Sequence, residues 1–207
     1  MNDANLSKYK KLFYEKKYGE IILELESSTT EKDRSPAILN LLGVCRASQK
    51  GKTDRDVKYA LNDFEVAFYK DNLGEISLES LCNHIKLCAE MGRRESDLVN
   101  NMLTSEKMYL KAEKKYSNNL KFVGYGIDLY KYLIKHEERI SNLEKNISIK
   151  KLDKLFGTIY VTSQMYLNNW SQKDYWEFQK KFSKLFNVYE AKKISKVDIN
   201  KGKIKVG

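Results

Sequence analysis

Apolar residues recur every three to four positions through most of this chain, the spacing that lines one face of an α-helix. Leu6, Tyr9 and Phe13, followed by Tyr18, Ile21, Ile22 and Leu25, predict a first helical pair with a short break at Lys16-Lys17-Tyr18. Residues 27–34 are polar and read as a loop. Ser35-Pro36 reads as a helix start, because serine accepts from free first-turn N–H groups and proline needs no donor there. That helix runs through Leu39, Leu42 and Cys45. A charged loop over 49–56 separates it from a partner built on Ala60, Leu61, Phe64, Ala67 and Phe68, with Thr53 or Asp54 as its cap. A third pair opens at Ser77 on Leu78, Leu81, Ile85 and Cys88, stops at Gly92, and resumes on Leu98, Met102, Ser105, Tyr109 and Leu110. Ser117-Asn118 starts a further helix on Leu120, Val123, Ile127, Tyr130 and Ile134, and a shorter one covers 138–149 on Ile140, Leu143 and Ile147.

The texture then changes. Leu152, Phe156, Ile159, Tyr160, Tyr166 and Trp170 define one aromatic helix. Ser171 caps another on Tyr175, Phe178, Phe182, Leu185, Phe186 and Tyr189. Bulky aromatics suit a terminal pair that covers the end of a helical stack or docks a further domain. Beyond Glu190 the chain is lysine-rich, and Lys203-Ile204-Lys205-Val206 alternates as a strand does. One proline and ten glycines in 207 residues fit long helices better than a turn-rich β fold. The expected fold class is all-α.

Two of these helices carry a repeat signature. Leu39, Leu42 and Gly43 fit L-x2-L-G, and Ala60, Phe64 and Ala67 fit A-x3-F-x2-A, so the pair resembles the two helices of a tetratricopeptide repeat. Its loop is longer than a standard repeat of about 34 residues allows. Gly43 inside a helix costs about 1 kcal/mol against alanine, and close helix approach is the expected compensation. The predicted organisation is irregular tetratricopeptide-like repeats over 1–116, a helical continuation and aromatic connector over 117–190, and a basic tail over 191–207. Hairpins of this kind bury their apolar faces only by stacking, and the stack leaves a concave face for a protein or peptide.

Three stretches extend the resemblance. Residues 81–92, from Leu81 to Gly92, resemble the first helix of a repeat in SPINDLY-like and bacterial O-linked N-acetylglucosamine transferases. Residues 163–182 resemble the connector of that family, and Lys203 to Gly207 resembles the opening strand of its two-lobed catalytic domain. The resemblance implies a chain that precedes a glycosyltransferase domain after Gly207 and has no catalytic or donor-binding residue of its own. It also implies asparagines on the concave face that bond the backbone of an extended peptide. Asn83 falls at the matching place, Asn40 lies one position off, and Lys86 completes the candidate set. The alternative for Asn83 is a solvated or capping polar residue. A free-standing interaction protein is the alternative for the whole.

The net charge of +10 refines this picture only locally. Residues 145–207 carry 14 lysines against five acidic residues, whereas 1–144 are nearly balanced at 24 basic to 23 acidic. No aromatic platform or recognition helix accompanies the lysines, so a nucleic-acid partner is not the favoured reading. Nucleotide-binding glycine loops, H-E-x-x-H and C-x-x-C are all absent from the sequence, and no cofactor or metal is expected. His84 and Cys88 stand one helical turn apart with Cys82 nearby, and the three cysteines Cys45, Cys82 and Cys88 read as small core residues. With no signal peptide, no membrane-length apolar run and no disulfide pattern, a cytoplasmic chain is the expectation.

Overall fold

The computed structural model describes residues 3–30, 32–91 and 98–149, together with the isolated positions 163, 171, 173, 176, 177 and 180. The chain divides into two compact units, 1–150 and 151–207. The expected stop at Gly92 and the terminal strand lie outside the described residues, as do the aromatic connector helices apart from those isolated positions. Within the first unit the described residues form eight α-helices and no strand. They are α1 (Asp3–Tyr14), α2 (Tyr18–Ser28), α3 (Pro36–Ser48), α4 (Asp54–Lys70), α5 (Glu75–Met91), α6 (Leu98–Tyr116), α7 (Leu120–Tyr132) and α8 (His136–Ile149).

Local chemistry sets the helix ends. Ser35 Oγ accepts from the Ile38 N–H with Pro36 in the first turn, and Thr53 forms a reciprocal capping box with Asp56. The α1–α2 and α7–α8 turns share one device. Lys16 (φ 58°) and Ile134 (φ 59°) take the left-handed conformation, and the next N–H reaches back to the carbonyl of Leu12 or Tyr130 at 2.9 Å. This is the Schellman closure, made here without glycine.

Several predicted starts move, among them that of α8, which begins at His136 rather than at 138. Helix α5 begins at Glu75, and Ser77 lies inside it, buried, with its hydroxyl donating to the Phe68 carbonyl at 2.9 Å. The free first-turn N–H of Ser77 is satisfied by Asp71 Oδ2 at 2.8 Å, so the preceding turn provides the cap. Helix α7 begins at Leu120, and Asn119 rather than Ser117 or Asn118 caps it, accepting from Lys121 and Phe122 N–H. Leu120 and Leu110 are exposed, and Ile134 leaves the helix in the turn.

Every helix packs on its sequence neighbour, so the unit is a run of antiparallel pairs. The odd helices also touch one another in series, α3 on α5 and α5 on α7, while α4 meets α6 more lightly. That places α3, α5 and α7 in one layer and α4 and α6 in the other. The stripe predicted from spacing is buried: Leu39, Leu42, Ala60, Phe64 and Ala67. A Cβ on Gly43 would lie 2.5 Å from the Phe64 ring, so a bare backbone is what lets α3 approach α4 this closely. The apolar core falls into two clusters. One joins α1, α2 and α3 around Ile21, Leu25 and Leu42, and the other runs from α4 to α7 around Phe64, Ile85, Met108 and Phe122.

Candidate functional site

Among the described residues, openings lie between helices that are not chain neighbours, and two of them are well formed. The smaller, about 350 Å³, lies between α3 and α5. Val44 and Ala47 of α3 face Asn83, Lys86 and Glu90 of α5, with Phe64 at the base. Two of the three candidate binding residues, Asn83 and Lys86, therefore line one groove. Asn40 does not. It is buried at the α3–α5 seam, where its Oδ1 accepts from Asn83 Nδ2 (3.1 Å) and Ser80 Oγ (3.2 Å), and its Nδ2 donates to Glu79 (3.5 Å). The seam thus consumes one Asn83 N–H and leaves its other N–H and its carbonyl for a ligand. Lys86 and Glu90, one turn apart at 3.8 Å, are both well exposed, a pairing that adds little stability.

The larger opening, about 1100 Å³, lies between α2 and α4, with the end of α3 as its floor. Its floor holds a buried ion cluster that periodicity alone did not reveal. The Arg46 guanidinium bonds Asp63 of α4 through Nη1 and Glu26 of α2 through Nη2. Burial pushes the Asp63 carboxyl up to about 6, against the pull of Arg46 and the more distant Arg34. Tyr59 stands at the rim, its ring centroid 5.3 Å from the Arg46 guanidinium carbon and 5.2 Å from that of Arg55. One sequence signal could have found this cluster. Arg46 continues the core stripe of Leu39 and Leu42 at the next turn, and Asp63 sits between Ala60 and Ala67 on the buried face of α4. An ionisable residue at a core register predicts a buried partner.

The histidine and cysteines of α5 are packing groups. His84 is 2% exposed, and its Nδ1 lies 2.7 Å from Ser105 Oγ on α6. The same Ser105 hydroxyl lies 3.2 Å from the Asn101 carbonyl, so it bridges the imidazole and the α6 backbone. Burial drives His84 down to about 4 and the thiols of Cys45, Cys82 and Cys88 up to about 12, so the imidazole is neutral and the thiols protonated at neutral pH. Among the described residues no group of three or more His, Cys, Asp or Glu could hold a metal ion. Nor is any described helix long and apolar enough to cross a membrane.

No protein-family model, curated protein or solved structure matches the chain.

Proposed function

We propose that residues 1–149 form a tetratricopeptide-like stack that binds an extended peptide segment in the α3–α5 groove. The observation that carries this reading is the contact of α3 with α5 and of α5 with α7. Stacked hairpins whose first helices adjoin turn those helices toward a common face, and that face is where such arrays hold their ligands. The groove between the first two of them offers the Asn83 amide and the Lys86 ammonium beside half-buried Val44 and Ala47. An amide can bond a peptide backbone without reading its side chains, and small apolar positions admit the backbone closely.

In this reading the chain recognises protein and catalyses nothing. Its place ahead of a glycosyltransferase domain rests on the resemblance of 81–92, 163–182 and 203–207 alone. A continuous reading frame after Gly207 with a nucleotide-binding pattern supports that placement, and turnover of a UDP-sugar by the purified chain contradicts the absence of catalysis.

The groove is tested by selecting binders to the whole chain from a displayed random-peptide library. Ala47→Arg and Lys86→Glu should each weaken the selected peptides by about tenfold, which is about 1.4 kcal/mol of binding free energy. Peptides that bind both variants as tightly as the parent chain would remove the α3–α5 groove from consideration.

A further inference from the structure

Four cations, Arg34, Arg46, Arg55 and Lys58, line the α2–α4 cleft with three carboxylates, Glu26, Asp56 and Asp63. Its three carboxylates are spent on internal donors. Glu26 and Asp63 bond Arg46, and Asp56 Oδ2 accepts the backbone N–H (2.8 Å) and hydroxyl (2.7 Å) of Thr53 as the α4 cap. The cations on the α4 wall are not spent in the same way. Arg55 donates through Nε (3.2 Å) and Nη2 (3.0 Å) to the Tyr59 hydroxyl, a neutral oxygen. Among the described residues no carboxylate lies within salt-bridge distance of Arg55 or Lys58, and the neighbouring Asp56 acts on Arg55 only from farther off. Both are exposed, one turn apart along α4, and both face the cleft.

The opposite wall has the other half of a recognition surface. On α2, Leu23 is 70% exposed and Ile22 is half-buried, and both line the same opening. Gly19 keeps that wall low, with its Cβ position 3.6 Å from the Gln49 amide on the floor. A cationic wall with a phenol rim therefore faces an aliphatic wall across a volume large enough for several residues of a ligand.

We propose that this cleft is a second binding site, independent of the α3–α5 groove, and that its ligand is an acidic peptide segment in which a carboxylate side chain neighbours an aliphatic one. The carboxylate takes the charge-assisted hydrogen bonds of Arg55 and Lys58, which are stronger than the bond Arg55 makes to a phenol. The aliphatic side chain covers Leu23. Arg46 stays with Glu26 and Asp63 and holds α2 and α4 at the spacing that the ligand spans. A nucleic acid would use Arg55 and Lys58 but has no counterpart for Leu23, so the aliphatic wall favours peptide over phosphate.

The test is fluorescence anisotropy of the fluorescein-labelled peptide Glu-Leu-Asp-Leu-Glu with the full chain at 0.15 M salt, beside a labelled single-stranded oligonucleotide. Arg55→Glu with Lys58→Glu should weaken the peptide at least tenfold, and Leu23→Asp at least fivefold. Asn83→Ala should leave it within twofold, which separates this site from the groove. All three cleft positions are exposed, and an unchanged urea midpoint verifies that the variants fold. A photoreactive version of the peptide should label 19–26 or 55–63. Absence of binding, labelling confined to 191–207, or loss of binding only on charge reversal of Lys201, Lys203 and Lys205 overturns the proposal. So does an oligonucleotide that binds more tightly and is indifferent to Leu23→Asp.

Discussion

The two halves of the first unit bury polar groups in opposite ways. At the α2–α3–α4 seam the buried group is an ion, Arg46, held by two carboxylates. At the α5–α6 seam it is a neutral imidazole, His84, held by a hydroxyl. The surroundings differ accordingly. The ion cluster lies at the floor of an open cleft, and Glu26 is 43% exposed, so water reaches one side of it. His84, Ser105 and Cys88 are sealed within the larger apolar cluster. A charge is tolerated where solvent relieves part of its desolvation, whereas a fully closed seam admits only groups that are neutral in place. The open seam is consequently the one with surface left over for a ligand.

Removing the central cation should disturb this arrangement most. Arg46→Ala leaves Asp63 buried without its partner, and breaking such a pair typically costs about 3–5 kcal/mol. The loss should appear as a lowered urea midpoint, and the double variant Arg46→Met/Asp63→Leu should recover at least half of it. If Arg46→Ala unfolds at the wild-type midpoint, the ion cluster contributes nothing to the seam.

Acid comes next and acts on the two seams with opposite sign. His84 sits below its ordinary value, so the unfolded chain takes up a proton first, near pH 6.5, and the folded chain only near 4. Stability is lost through that window, about 3 kcal/mol between pH 7.5 and 4.5 at about 1.4 kcal/mol per unit. The same titration on His84→Gln should lack this loss. Asp63 sits above its ordinary value, so the folded chain takes up the proton first, near pH 6. Its contribution is unfavourable while ionised at neutral pH and recovers as pH falls. Stability of the wild type relative to Asp63→Asn should therefore rise on acidification, and a fall would mean that Arg46 holds the carboxylate below its ordinary value.

The smallest expected effect is at Ser105. Ser105→Ala removes the hydrogen-bond partner of His84 Nδ1, and an unsatisfied buried polar group costs about 1–3 kcal/mol. Equal urea midpoints for this variant and the wild type would show that water enters the α5–α6 seam after all.

Much of the helical layout is legible in the sequence because its signals are local. Ser35-Pro36 and Thr53 mark their helix starts in three or four residues, and the buried stripe of Leu39, Leu42, Ala60, Phe64 and Ala67 follows from period alone. The start of α5 is where local composition misleads. Ser77 is a residue type suited to a cap, but Asp71 in the preceding turn reaches its N–H first, and the serine hydroxyl turns back to Phe68. The close approach at Gly126 has no local signal at all. A Cβ there would collide with the Tyr109 phenol, whose hydroxyl donates to Asn142 on α8, and nothing near Gly126 in sequence announces a residue on α6. Of the candidate ligands, Asn83 and Lys86 share a groove, while one helical position sends Asn40 into the seam instead.

The sequence by itself determined that the chain forms helices, where α3 and α4 start, and which face of most is apolar, because periodicity and capping are decided within a turn or two of the backbone. Only the tertiary structure decided which polar residues meet: Arg46 with Asp63 and Glu26, His84 with Ser105, Asn40 with Asn83. Those pairs depend on how one helix is rotated and shifted against another, a quantity summed over every side chain in the interface and written at no single position.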